Sequence, residues 1–220
     1  MIENIDQTVF IVDDDDAIRD SLSMLMHSDD LQNKTFKSAE SFLEQYNPDL
    51  SGCLLLDVRM PGMSGLDLQR HLIEQDSRLP IIVMSGHADI PTAVEMMKNG
   101  ALDFYTKPFD NMMLLDSIKI CLQHNEQLRN QINFENIIDE RIQTLTKRER
   151  EVLVGVLEGK ASKVIAYDLG ISVKTVDVHR SRIMEKMKVR SLAELVRTIL
   201  NSNKENLLQQ PQQNQERNFL

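Results

Sequence analysis

The sequence predicts a doubly wound α/β domain, (βα)5 with a five-stranded parallel sheet, followed by a small all-α domain of four helices that contains a helix-turn-helix. Three observations carry this expectation. From Thr8 to about Gln123, short apolar runs alternate with longer amphipathic stretches; from Leu145 the pattern becomes wholly helical. The charge also changes sign: residues 1–140 hold 10 Lys+Arg against 25 Asp+Glu, a net of −15, while residues 141–200 hold 13 against 7, a net of +6. An acidic part joined to a basic part suggests that only the latter meets a polyanion.

The strands are read at TVFIV (8–12), a weaker NKTF (33–36), CLLLDV (53–58), PIIVMS (80–85) and ALDFYT (101–106). Near-continuous apolar runs of this length suit strands covered on both faces. Helices are expected near 15–28, 38–46, 64–75, 89–98 and 110–123. Strands alternating with helices imply right-handed crossovers and a parallel sheet. Residues 1–123 form this first domain. Residues 124–143, HNEQLRNQINFENIIDERIQ, read as a helical extension and linker. Four helices follow near 147–157, 161–168, 173–188 and 191–200, making a second domain at 144–200. Thr146 to Glu149 and Ser191 to Glu194 fit the capping box, in which hydroxyl and carboxylate satisfy each other's orphan backbone donors. The last twenty residues, 201–220, contain five Gln and five Asn around Pro211 and are expected to be a disordered tail.

Cys53 and Cys121 are the only cysteines and lie 68 positions apart, so they are read as small core residues with neither a disulfide framework nor metal-ligand spacing. Neither a basic, apolar secretory start nor a membrane-length apolar run is present, and a cytoplasmic protein is expected.

In open parallel sheets, ligands bind beyond the carboxyl ends of the strands. Those ends carry Asp13 and Asp14 after strand one, Asp57 after strand three, Ser85 after strand four and Lys107-Pro108 after strand five. A charge closing a buried strand must have a partner or a task. Clustered carboxylates repel one another, and a hard cation such as Mg²⁺ with oxygen ligands suits Asp13, Asp14 and Asp57. With it, Asp57 can act as a nucleophile towards phosphorus, Lys107 can pair with a phosphoryl oxygen, and Ser85 can donate to another. The alternative for Asp13 to Asp16 is a solvated helix start, a role that suits Asp15 and Asp16.

The segments IVDDDD, LLLDVRMPGMSGLDL, IIVMSGHAD and FYTKPF resemble, in order and spacing, the receiver domain of two-component response regulators. The resemblance implies phosphorylation of Asp57 by a sensor histidine kinase, with Asp14 a direct Mg²⁺ ligand, Asp13 a ligand through water, and the backbone carbonyl of Arg59 a further ligand. It implies Ser85 and Phe104 as the hydroxyl and aromatic switch pair, a cis bond before Pro108, and Arg59 and His87 flanking the acceptor. Val94 and Lys98 are expected near a dimer contact. Serine at 85 keeps the donor of the commoner threonine but lacks its methyl.

In the basic part, ASKVIAYDLG precedes GISVKTVDVHRSRIMEKMKV across a glycine turn, the layout of a helix-turn-helix. On the second helix Val176, Ile183 and Met187 form a buried stripe, while Lys174, Val178, Ser181 and Glu185 lie opposite. Such a face can enter a major groove, with Thr175, Asp177, Val178 and Ser181 near base edges. Lys160, Lys163, Lys174, Arg180, Arg182, Lys186 and Lys188 are candidates for phosphate contact. Asp177 can accept from a cytosine amino group or form an intramolecular pair, the latter being preferred. LTKREREVL, GKASKVIAYDLGIS and KTVDVHRSRIMEKM together resemble the DNA-binding domain of the LuxR/NarL/FixJ class, and with the receiver the chain resembles the FixJ-type branch. The combination implies a transcription regulator that is not an enzyme, dimerises on phosphorylation, binds promoter DNA and engages RNA polymerase. A Mg²⁺-dependent enzyme on the same scaffold, or an output domain that binds protein or RNA, are the rival readings.

Overall fold

The computed structural model describes residues 7–86 and 90–202. His87 and residues 203–220 of the expected tail lie outside the described residues. The chain divides into two compact units, Met1–Arg129 and Asn130–Leu220.

The first unit holds β1 (Thr8–Val12), α1 (Asp16–Ser28), β2 (Gln32–Phe36), α2 (Ala39–Leu43), β3 (Gly52–Asp57), α3 (Gly65–Glu74), β4 (Ile81–Ser85), α4 (Ile90–Lys98), β5 (Asp103–Thr106) and the first part of α5 (Asn111–Gln143), whose later turns belong to the second unit. The five strands pair in parallel in the order β2-β1-β3-β4-β5. Strand order therefore reverses beside β1 and β3, the position at which such sheets bind ligands. Strand alternation sorts the core into two faces. Phe10, Val12, Leu54, Leu56 and Val83 pack with Phe42, Leu68, Leu72 and Met96. Val9, Ile11, Leu55, Ile82 and Met84 pack with Leu22, Met26, Leu114, Ile118 and Leu122. All six residues of β3 are buried, which matches a strand covered on both sides.

One expectation is corrected here and another in part. Cys53 and Cys121 are both fully buried, as expected of core residues, yet they are paired as a disulfide with a Cα–Cα separation of 5.9 Å. Strand β3 and helix α5 pack on one sheet face and bring the two positions within bridging range. Residues 124–143, expected as a helical extension and linker, do continue α5 as one helix to Gln143, and it is the linker half of that expectation that is corrected. The far end of α5 supplies Phe134, Ile138 and Ile142 to the hydrophobic core of the second unit.

The second unit continues with α6 (Lys147–Leu157), α7 (Ser162–Leu169), α8 (Val173–Met187) and α9 (Leu192–Asn201). Its core joins Ile138 and Ile142 to Val152, Leu153, Ile165, Val176, Ile183, Met187, Leu195 and Ile199. Thr146 and Glu149 form the expected capping box. Ser191 caps α9 through the amide of Glu194, but the Glu194 carboxylate turns outward to the amide of Arg190 at 2.8 Å, so the reciprocal half is not made. Gly170 ends α7 at φ 65°, a left-handed position that glycine adopts without a Cβ penalty, and Ser172 caps α8 immediately afterwards.

Candidate functional site

Asp13, the first residue after β1, and Asp57, the last of β3, are buried side by side at the strand-order reversal. Lys107, just beyond β5, bridges them: its Nζ lies 2.5 Å from Asp13 Oδ2 and 2.5 Å from Asp57 Oδ1. Burial pushes the Asp57 carboxyl above the usual carboxylate range, against the opposing pull of Lys107 and with a further push from Asp13. Burial works against the Lys107 ammonium too, but its hydrogen bonds to Asp13 and Asp57 prevail and hold its pKa above the usual lysine value. Lys107 is therefore a firm cation at neutral pH.

The loop after β3 is shaped around Asp57. The Arg59 amide donates to Asp57 Oδ2 at 2.7 Å, and the Gly65 amide closes back on the Val58 carbonyl at 3.0 Å. A Cβ at Gly65 would sit 2.1 Å from the Asp57 carbonyl oxygen, so only glycine lets the loop approach this closely. Ser85 is buried at the end of β4, and its carbonyl accepts from the Lys107 amide at 2.7 Å. The Lys107-Pro108 bond is cis. Phe104 is half-buried against the sheet face that carries Phe10 and Val83. Asp14 is exposed. Asp15 acts at the helix start, its carboxylate accepting from the Ala17 amide at 2.8 Å. Val94 and Lys98 are exposed on α4.

Arg19 is not singled out by the sequence, yet it donates to the Asp13 carbonyl at 2.6 Å and pairs with Asp16. Its spacing of three from Asp16 on a helix face is the signal that points to it. Among the described residues, no group of three or more His, Cys, Asp or Glu side chains is assembled to hold a metal. The donors that are present suit a hard cation that keeps much of its water. Mg²⁺ is commonly held by one or two carboxylates with the rest supplied by water and phosphate, and the buried pair Asp13 and Asp57 offers donors of that kind.

In the second unit, Val176, Ile183 and Met187 are fully buried, and Lys174, Val178, Ser181 and Arg182 lie away from that stripe on α8, all four of them exposed. Lys163 is exposed on α7, and Lys188 ends α8 at φ 54°. The Thr175 hydroxyl bonds Ser172 at 2.8 Å. Other cations are engaged within the unit. Lys186 Nζ contacts buried Glu149 at 2.6 Å and the Thr144 carbonyl at 3.0 Å. Lys160 pairs with Glu158 and Asp168, each at 3.0 Å. Arg180 donates to the Ser162 hydroxyl, and Ser162 donates to Asp177 Oδ1 at 3.0 Å. Asp177 thus makes the intramolecular pair. Ser162 is not marked out by the sequence, where it passes for a helix-start residue.

Comparison with known proteins follows the same division. The family of the response regulator receiver domain matches residues 9–119, and the luxR family of bacterial regulatory proteins matches residues 143–199. The transcriptional regulatory protein FixJ of Azorhizobium caulinodans is 45% identical over 192 residues, covering 87% of this chain and 91% of that protein. The response regulator protein TodT of Pseudomonas putida (strain F1) is 48% identical over 189 residues, covering 86% and 83%. Among solved structures, the response regulator StyR aligns with a TM-score of 0.82 at 43% identity, covering 89% of this chain and 98% of that one. Full-length FixJ from B. japonicum aligns with a TM-score of 0.56 at 38% identity, covering 90% and 97%.

Proposed function

The chain belongs to the two-component response regulators that join a receiver domain to a LuxR-family DNA-binding domain, and on that premise we propose that phosphorylation of Asp57 switches its binding to promoter DNA. The observation that carries this reading is the Lys107 ammonium held 2.5 Å from each of Asp13 and Asp57 at the point where strand order reverses. A phosphoryl group arriving there meets a carboxylate nucleophile, a fixed cation and the hydroxyl of Ser85.

In the proposed reaction an Asp57 oxygen forms a bond to phosphorus as the bond from phosphorus to a histidine nitrogen of the sensor kinase breaks. The product is an acyl phosphate, and the N–P electron pair returns to a phosphohistidine ring protonated on its other nitrogen, so the kinase recovers a neutral imidazole. Lys107 pairs with a phosphoryl oxygen and offsets the growing negative charge. The Arg59 amide holds Asp57 in place, and the Ser85 hydroxyl donates to another phosphoryl oxygen. Asp13, Asp14, Asp57 and the carbonyl of Arg59 would hold Mg²⁺, whose charge screens the anionic acceptor from the anionic phosphoryl group.

The phosphorylated receiver then pairs with a second copy through a face that includes Val94 and Lys98, with Phe104 turning inward behind Ser85. Two linked DNA-binding domains reach paired half-sites with higher effective concentration than one. On this reading the protein is a phosphoryl acceptor in the cytoplasm, not an enzyme that turns over an external substrate, and RNA polymerase is a partner at the promoter.

The test compares wild type with Asp57→Ala, each given Mg²⁺ and acetyl phosphate. Intact mass should show one added phosphoryl group on the wild type alone, and retardation of a promoter fragment should increase with it. Equal retardation of the two proteins would remove the switch from the function.

A further inference from the structure

Arg180, Ser162 and Asp177 form a donor chain that runs in one direction. The Arg180 guanidinium donates through Nη1 to the Ser162 hydroxyl, and that hydroxyl donates to Asp177 Oδ1 at 3.0 Å. A serine hydroxyl has one proton, so an arginine donating into its lone pair leaves that proton for the carboxylate. Successive donors of this kind polarise one another. The Ser162 hydroxyl is not engaged as a helix cap: the N-cap of α7 is Ala161, which makes no side-chain cap bond.

Two further observations place Arg180 away from the outward face of α8. At about 100° per residue it lies roughly 40° from the centre of the Val176, Ile183 and Met187 stripe. Its side chain lines a groove with Val156, Leu192 and Val196, and its Nε is buried. Asp177 by contrast is exposed, as are its neighbours Val178 and Ser181 on the face expected to meet DNA.

A carboxylate on such a face is repelled by phosphates and cannot bond the acceptors of guanine or the O4 of thymine. Its only major-groove partners are exocyclic amino groups, N4 of cytosine and N6 of adenine. Asp177 is useful as a reader only if its oxygens are held in place, because two free side-chain torsions blur the geometry.

Resting on the DNA-binding reading above, we propose that Arg180 and Ser162 are positioning residues that orient the Asp177 carboxylate to accept a hydrogen bond from an amino-bearing base, cytosine or adenine, in each half-site. Arg180 acts through its neighbours and does not touch a phosphate.

The experiment selects binding sites from a random duplex library, using the full chain with Mg²⁺ and acetyl phosphate. It then measures the salt dependence of binding to one selected duplex. Wild type should enrich cytosine or adenine at one position per half-site, and the enriched base decides between the two. Asp177→Ala should lose preference at that position alone. Ser162→Ala and Arg180→Gln should relax the same preference by about 3- to 10-fold, the range expected from one hydrogen bond. Arg180→Lys, which keeps a donor and the charge, should restore part of it. The log–log salt slope of Arg180→Gln should equal that of wild type, whereas Lys174→Gln should make it shallower by about one for every phosphate that Lys174 neutralises. Melting curves followed by circular dichroism verify that each variant is folded. A shallower slope in Arg180→Gln with unchanged base preference makes Arg180 a phosphate ligand and overturns the proposal. An unchanged preference in Asp177→Ala overturns it as well. If wild type enriches no sequence at all, the DNA-binding reading fails and the proposal falls with it.

Discussion

Replacing Lys107 by methionine removes a charge while keeping an unbranched stem of similar length. The Lys107 side chain is 16% exposed, and the side chains of its partners Asp13 and Asp57 are 1% and 6% exposed. At an effective dielectric constant of about 20, opposite charges about 3 Å apart attract by roughly 5 kcal/mol, so two such pairings give about 10 kcal/mol before costs. Desolvation and repulsion between the carboxylates consume much of this, and deleting one member of a buried ion pair costs about 3–5 kcal/mol. That loss lowers the melting midpoint of a unit this size by roughly 10–15 °C. The pH dependence has a definite sign. Without the ammonium, burial raises the Asp57 carboxyl further than it already does. A carboxyl raised in the folded state contributes stability that is present below its unfolded pKa and lost as pH rises through its folded pKa. The deficit of Lys107→Met should therefore be largest at neutral pH and shrink towards about pH 5. Calorimetry of the full chain in metal-free buffer measures it, and added Mg²⁺ should recover part of the loss at neutral pH by binding the folded state. A deficit below about 1 kcal/mol, the size expected of an exposed pair, or one equal at both pH values, would refute the shared-counterion account.

Glu149→Gln addresses the second unit. Burial raises the Glu149 carboxyl, but the hydrogen bonds from Lys186 and Thr146 outweigh it and leave its pKa below the usual value. Its stabilisation is present above the unfolded pKa and lost as pH falls through the folded one. The variant should melt earlier at neutral pH by about 2 kcal/mol, a buried-pair loss discounted because Lys186 is partly exposed, and should converge with wild type in acid. Gly65→Ala should slow phosphorylation of Asp57 by acetyl phosphate by about tenfold or more, since small displacements of a reacting group are costly, with little change in far-ultraviolet circular dichroism. An unaltered rate would show that the loop carrying Arg59 accommodates the methyl group.

Much of this is legible because the sheet is buried on both faces. Runs such as CLLLDV can be little else than covered strands, and their ends carry Asp13, Asp57, Ser85 and Lys107 to one edge without any knowledge of contacts. What escapes the sequence depends on partners far along the chain. Lys186 reads as a free cation until Glu149 is found against it in space, and Arg180 reads likewise, although its angle on α8 sets it beside the buried stripe. The Cys53 and Cys121 pair follows from β3 packing on α5, which no spacing of 68 residues announces. Residues 124–143 read as a helical extension that serves as a linker, because apolar residues are sparse there. Phe134, Ile138 and Ile142 nevertheless recur at intervals of four, enough for one helix stripe, and that stripe joins the core of the second unit.

That uninterrupted α5 bears on how the molecule can be dissected. Its early turns bury Leu114, Ile118 and Leu122, while its late turns bury Ile138 and Ile142 and set Arg141 Nη1 2.9 Å from the Met187 carbonyl. A fragment begun at residue 143, where the luxR family match starts, would discard Ile138, Ile142 and the Arg141 bond, leaving part of the second unit's core uncovered. A cut near Asn130 keeps both sets of anchors with their own partners, so the workable seam lies inside a helix and well ahead of the family boundary.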